Sequence, residues 1–240
     1  MSRVKDVAER RAVPSHGAGP PSAASRRRAR LSRRLPIASE GWVFILVPLA
    51  VALLLAWAGW LKVAVLPSLV AAFMAFFFRD PDRTPSAVPG AILAPADGRV
   101  TEVREDVEDA FVGRARQVSI FLSPLDVHVN RASIGGRVVS VEHRPGRFLP
   151  AYKSEAGQNE RVTLALEGPS GRVVMRQIVG VLARRIVCRV RPGDRLEVGE
   201  RFGMIKFGSR MDVVMPARAR LVVRRGDRVR AGETILGVLE

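Results

Sequence analysis

Residues 42–78 carry almost no charge. Trp42–Leu61 is a run of 20 uncharged residues, Val63–Phe78 is another of 16, and only Lys62 separates them. A helix needs roughly 20 apolar residues to cross the hydrocarbon core of a bilayer. The first run meets that length and the second is marginal. The stretch is too long for one spanning helix, and Pro48, Gly59 and Pro67 punctuate it. It predicts a tight membrane-anchoring helical hairpin over residues 39–79. It begins too far into the chain, with no small-residue cleavage site, for a signal peptide that is removed.

The charge balance gives this anchor an orientation. The net charge is +16, and residues 1–40 hold ten Lys and Arg against Asp6, Glu9 and Glu40. A basic segment beside an apolar run follows the positive-inside rule and attracts anionic head groups. With a hairpin, this places the rest of the chain on the cytoplasmic side of the cell membrane. Residues 1–38 are rich in Ser, Pro, Gly and Ala without apolar periodicity, and predict a disordered basic tail. Nucleic-acid binding is not supported, because it calls for aromatic side chains among the basic ones. Here aromatics make up 6% and concentrate in the apolar run. Cys188 is the lone cysteine, so no internal disulfide forms, and its strand-like setting predicts a small buried residue. His16, His128 and His143 lack metal-ligand spacing, so no metal is expected.

Residues 80–240 read as one mainly β domain. Residues 118–122, 161–166, 172–179 and 219–223 alternate aliphatic and polar side chains between Gly and Pro. An internal repeat adds detail. Residues 190–200 and 223–233 share V-R-x-G-D-R-[LV]-x-[AV]-G-E, each with a Gly-Asp turn, an aliphatic residue and a Gly-Glu turn. The pattern resembles the half-motifs of biotinyl/lipoyl-type barrel-sandwich domains, and Leu93–Val100 resembles one of their strands. A swinging-arm carrier is disfavoured, because no modifiable lysine tip lies between the copies.

Three segments carry candidate chemistry: Pro95-Ala-Asp97-Gly98, Ser123-Pro-Leu-Asp126-Val-His128-Val-Asn130-Arg131, and Phe207-Gly208-Ser209. A serine after a glycine can attack the carbonyl before it, since glycine offers no side chain to block the approach. On a strand, Asp126, His128 and Asn130 would share one face. There a carboxylate can orient an imidazole and stabilise its charged form.

In this order, with Asn159-Glu160-Arg161, the segments resemble phosphatidylserine decarboxylase over about residues 42–240, most nearly its short bacterial and archaeal form. The longer enzymes have Leu-Gly-Ser-Thr at the cleavage point and a second histidine three residues after the first. This chain has Phe-Gly-Ser-Arg and Arg131. The resemblance implies cleavage between Gly208 and Ser209 into a β chain, 1–208, and an α chain, 209–240, that stay associated. It implies that Ser209 becomes a covalent pyruvoyl group, with His128 as the base, oriented by Asp126 or Asp97. It further implies decarboxylation of membrane phosphatidylserine to phosphatidylethanolamine through a Schiff base on that group, by a homodimer. Arg144, Arg147 and Lys153, in a basic and apolar segment, are candidates for head-group contact. The alternative is a non-enzymatic, membrane-anchored barrel-sandwich adaptor. It explains the anchor and the repeat but leaves the Asp-x-His cluster and the Gly-Ser pair without a role.

Overall fold

A computed structural model describes residues 36–152, 154–169, 171–181, 185–206 and 208–239. The expected basic tail, apart from residues 36–38, lies outside the described residues, as does Lys153. The apolar stretch folds as the expected hairpin. Helix α1 (Trp42–Trp57) and helix α2 (Leu61–Phe77) are packed together and joined by Ala58-Gly59-Trp60. With the short 3-10 turn before it, Ser39–Trp57 is long and apolar enough to cross a membrane, whereas α2 is shorter. Val43, Leu53, Trp57, Leu66 and Leu69 leave their side chains exposed along the two helices.

The remainder is mainly β, as the alternation requires. Its strands are β1 (Ala91–Leu93), β2 (Gly98–Asp109), β3 (Gly113–Leu122), β4 (Val129–Arg131), β5 (Gly136–Arg144), β6 (Arg161–Gly168), β7 (Gly171–Ile178), β8 (Ile186–Cys188), β9 (Arg195–Leu196), β10 (Arg201–Ile205), β11 (Ser209–Pro216), β12 (Arg220–Leu221), β13 (Arg228–Val229) and β14 (Ile235–Val238). Eight form one antiparallel sheet in the order β13-β2-β3-β11-β7-β6-β5-β9. The smaller sheets β1-β14-β12 and β4-β10-β8 complete the fold.

The internal repeat explains the curl of the large sheet. Its two copies supply β9 and β13, the two edge strands. Each copy closes the same turn: Arg191 N–H donates to Asp194 Oδ2 at 2.8 Å, and Arg224 N–H donates to Asp227 Oδ2 at 2.9 Å. The turns that follow meet each other. A Cβ built on Gly232 would lie 3.6 Å from the Cα of Gly199. The two edges are thus drawn together into a barrel-sandwich-like half-barrel, which limits edge-to-edge pairing with other chains. The repeated unit is also longer than the sequence suggested. Ala132 accepts from Gly199 N–H at 2.9 Å, and Ala94 accepts from Gly232 N–H at 2.8 Å. Residues 132–138 and 94–100 are therefore a second pair of equivalent segments.

The core fills the inside of this curl. Ile120, Leu122, Leu164, Leu166, Met175, Phe202, Met211, Val213 and Met215 are among its buried members. Each such side chain contributes about 1.5–3 kcal/mol on burial. A second cluster joins the hairpin to the sheet: Phe77 and Phe78, at the end of α2, pack with Val127, Val129 and Met204.

Candidate active site

Ser209 opens β11, the strand between β3 and β7. It pairs with Leu122, the last residue of β3. Strand alternation puts its side chain on the core face with Met211, Val213 and Met215. The residue is fully buried, and its Oγ has no hydrogen-bond partner among the described residues. Gly208, before it, has φ +66°, a left-handed conformation that L side chains rarely adopt. A Cβ built there would meet nothing within 4 Å. Backbone conformation, rather than a clear line of approach, is what calls for glycine. The Gly208 carbonyl oxygen packs on Gly180, where a Cβ would come within 2.3 Å of it and 3.2 Å of the Ala151 Cβ.

His128 is brought to the same region from two directions. The loop carrying it leaves β3 directly after Leu122, the partner of Ser209. On the other side, Val129 pairs with Met204, and Ile205 N–H approaches the His128 carbonyl at 3.4 Å. Only residues 206–208 separate β10 from Ser209. The His128 ring is fully buried, with its centroid 4.3 Å from that of Phe77. Nδ1 lies 2.9 Å from the backbone carbonyl of Asp126. A carbonyl only accepts, so Nδ1 carries the proton and Nε2 is left as a lone-pair acceptor. Nε2 has no partner among the described residues. Burial lowers the imidazole pKa to about 4, against the opposing influence of Asp126. At neutral pH the ring is an uncharged base.

The expected carboxylate partnership is corrected. Strand β4 begins at Val129, so Asp126 and His128 lie in a loop rather than on one strand face. Asp126 accepts from Ser123 N–H at 2.8 Å through Oδ2, and so closes its own turn. It orients His128 through its main chain. Asp97 is also engaged elsewhere, accepting from Arg83 Nη2 and from Ala231 N–H, both at 2.8 Å. It ties the Pro95–Gly98 turn to the second repeat copy, and burial pushes its carboxyl pKa up. At the position of the longer enzymes' second histidine, Arg131 donates to Asp80 at 3.1 Å, to the Pro81 carbonyl at 2.8 Å and to the Gly199 carbonyl at 3.2 Å. Arg201 meets the same Asp80 at 2.7 Å. This buried ion cluster clamps the hairpin exit to the seam of the half-barrel.

Two further residues complete the site. Gln177 pairs with Met211 and shares the core face of β7 with Val173 and Met175. Its Nε2 donates to Asn130 Oδ1 at 2.8 Å. Gln177 Oε1 and Asn130 Nδ2 are buried and have no partner among the described residues. Asn130 stands in the polar Asp126–Arg131 cluster of the sequence, whereas no motif marks Gln177. A polar residue at an inward position of an otherwise apolar strand was the available signal. The head-group candidates divide. Arg144 lines a groove of about 740 Å³ with Arg161, Arg176 and Arg210, on the sheet face opposite Ser209. Arg147 is exposed in a loop bridged to Asn159. Ala151, past the end of this loop, packs beside Gly180, where a built Cβ would lie 3.2 Å from its Cβ.

The profile of the phosphatidylserine decarboxylase family matches residues 70–237. The chain belongs to this family. It is 49% identical over 210 residues to a phosphatidylserine decarboxylase proenzyme of Symbiobacterium thermophilum, covering 86% of this chain and 97% of that one. A proenzyme of the same name from Chlorobium phaeobacteroides is 42% identical over 205 residues, 82% of this chain and 96% of the relative. One from Mycolicibacterium smegmatis is 46% identical, covering 85% and 90%. Within this family, the buried serine and the neutral histidine lie on the segments that the sequence motifs singled out.

Proposed function

We propose that the chain cleaves itself between Gly208 and Ser209 and then decarboxylates phosphatidylserine to phosphatidylethanolamine at the membrane surface. The observation that carries this reading is the pair of buried, unpartnered atoms, Ser209 Oγ, directly after a glycine in a left-handed conformation, and His128 Nε2, on the segment that adjoins the end of β10 just before that glycine. Buried polar atoms without partners cost about 1–3 kcal/mol each, and such costs recur where chemistry requires them.

His128 Nε2 takes the proton of Ser209 Oγ, which attacks the Gly208 carbonyl carbon. The Gly208–Ser209 C–N bond breaks, and the freed nitrogen takes a proton, leaving an ester. Loss of the residue-209 α-proton then expels the Gly208 carboxylate and forms a carbon–carbon double bond. Addition of water and loss of ammonia leave a keto-acyl end on the 209–240 chain. Gly180 holds the carbonyl in place during the attack. Asn130 and Gln177 offer an amide donor and an amide acceptor for the charges that move. The residues present therefore fit a pyruvoyl group derived from Ser209. That group supplies a ketone carbonyl that acts as electron sink when the substrate carboxylate is lost. His128, once protonated, is a strong acid in its dry pocket and returns a proton to carbon.

The fold supports association of the two products. Within 209–240, β11 pairs with β3 and β7, β13 with β2, and β14 with β1. Cleavage would leave every one of these ladders in place. The hairpin supports action on a lipid that stays in its bilayer, since removing acyl chains costs about 0.8 kcal/mol per CH₂. The basic tail favours the cytoplasmic side of the cell membrane. An adaptor gives the buried serine and histidine nothing to do. The test is a denaturing gel with a vesicle assay. Two chains and conversion of phosphatidylserine to phosphatidylethanolamine are expected; a single intact chain that decarboxylates would overturn the reading.

A further inference from the structure

The apolar hairpin ends against the imidazole itself. Phe77, the last residue of α2, is fully buried, and its ring lies 4.3 Å from that of His128, inclined by 35°. The contact is secured on both sides. Phe78 stacks on Phe44 of α1 at 5.3 Å, and Ala38 N–H donates to the Phe78 carbonyl at 2.8 Å. Arg79 donates to the Leu125 carbonyl at 2.6 Å, in the loop that carries His128. Asp80 then enters the buried cluster with Arg131 and Arg201. The hairpin exit is therefore one wall of the histidine pocket as well as the anchor's root.

We propose that Phe77 is a positioning residue for His128. Its ring excludes water from the imidazole and keeps it an uncharged base, so that self-processing depends on the docking of α2 and not only on membrane attachment. The inference rests on the reading of His128 as the base. Apolar bulk over an imidazole disfavours its charged form, in line with a pKa lowered to about 4 chiefly by burial. The charged groups bearing on the ring are Asp126, from its own loop, which opposes this effect, and Arg79, beyond α2, which adds to it. Lys206, after β10, directs its ammonium onto the Phe44 and Phe78 rings, at 4.9 and 5.8 Å. None of these is altered by changing Phe77.

Self-processing needs no lipid substrate, so it separates this role from membrane recruitment. Full-length precursor would be synthesised cell-free into nanodiscs, pulse-labelled and moved to buffers from roughly pH 4 to pH 8, spanning the histidine range. The wild-type cleavage rate should stay level until the pH nears 4. In Phe77→Ala the midpoint should rise by about one pH unit or more toward the ordinary histidine value. Phe77→Leu, which restores apolar bulk without a ring, should bring it back down. A Phe77→Ala midpoint equal to wild type, whatever the absolute rate, overturns the proposal. Should Phe77→Ala not accumulate, Phe77→Val carries the same comparison. An NMR titration of His128 in the uncleavable Ser209→Ala precursor, with and without Phe77→Val, reads the shift directly. Failure of the underlying reading looks different: a His128→Gln precursor that cleaves at the wild-type rate removes the base role itself.

Discussion

Asn130 and Arg131 are neighbours in β4, yet they belong to buried polar clusters of opposite character. Around Arg131 the charges are matched: Asp80, the Pro81 carbonyl, the Gly199 carbonyl and, at the exposed edge, Asp82 take up the guanidinium groups of Arg131 and Arg201. Around Asn130, four side chains each keep one unpartnered polar atom among the described residues: Asn130, Gln177, His128 and Ser209. The first cluster holds the hairpin and the barrel seam together. The second forgoes stability of that kind and leaves buried donors and acceptors unpaired among the described residues, the ones the proposed reaction would use. Two adjacent residues thus mark the boundary between what the fold fastens and what it leaves available.

The contrast can be broken from either side. The largest effect is expected from Ser209→Ala, which removes the proposed nucleophile: the chain should remain whole on a denaturing gel, with no decarboxylase activity. His128→Gln should slow self-cleavage by roughly 10²- to 10⁴-fold, the usual worth of a general base. The wild-type rate should hold as pH falls below the ordinary histidine range, because burial keeps the imidazole unprotonated down to about pH 4.

On the fastened side, Asp80→Ala leaves Arg131 buried without its carboxylate and should cost about 3–5 kcal/mol. Chemical denaturation in a Ser209→Ala background in detergent would measure it, and a loss below about 1 kcal/mol would contradict the clamp. Gly180→Ala forces the Gly208 carbonyl to move and should slow cleavage by about 10²-fold, the scale of a misplaced reacting group. A pulse-chase in which it cleaves like wild type would show that the close packing does not matter. The smallest effect is expected from Arg144→Ala. Its groove lies on the face away from Ser209, so the apparent KM for lipid should change by less than about twofold, within a surface effect.

The sequence made much of this legible, for identifiable reasons. An apolar run split by Lys62 and Gly59 has few folded solutions, and the hairpin is one. Alternating aliphatics gave the β domain, and the repeated turns gave its edges, although their meeting at Gly199 and Gly232 needs the folded chain. Ser209 and His128 stood out because a Gly-Ser pair and a polar cluster after a strand are chemically distinctive. Asp126 and Asp97 were misplaced because residue type suggested a carboxylate–imidazole pair. The partner is a main-chain carbonyl, which every residue possesses and no pattern reveals. Phe77 was hidden in a run of aromatics, and Gly180 has no side chain to draw notice. Both act by long-range packing, which residue spacing does not encode.

The most direct test is the intact mass of the two mature chains. The C-terminal chain should begin at residue 209 and be lighter than the corresponding unmodified peptide by one ammonia, while Ser209→Ala should give a single full-length mass. An active protein whose residue 209 is still an ordinary serine would contradict it.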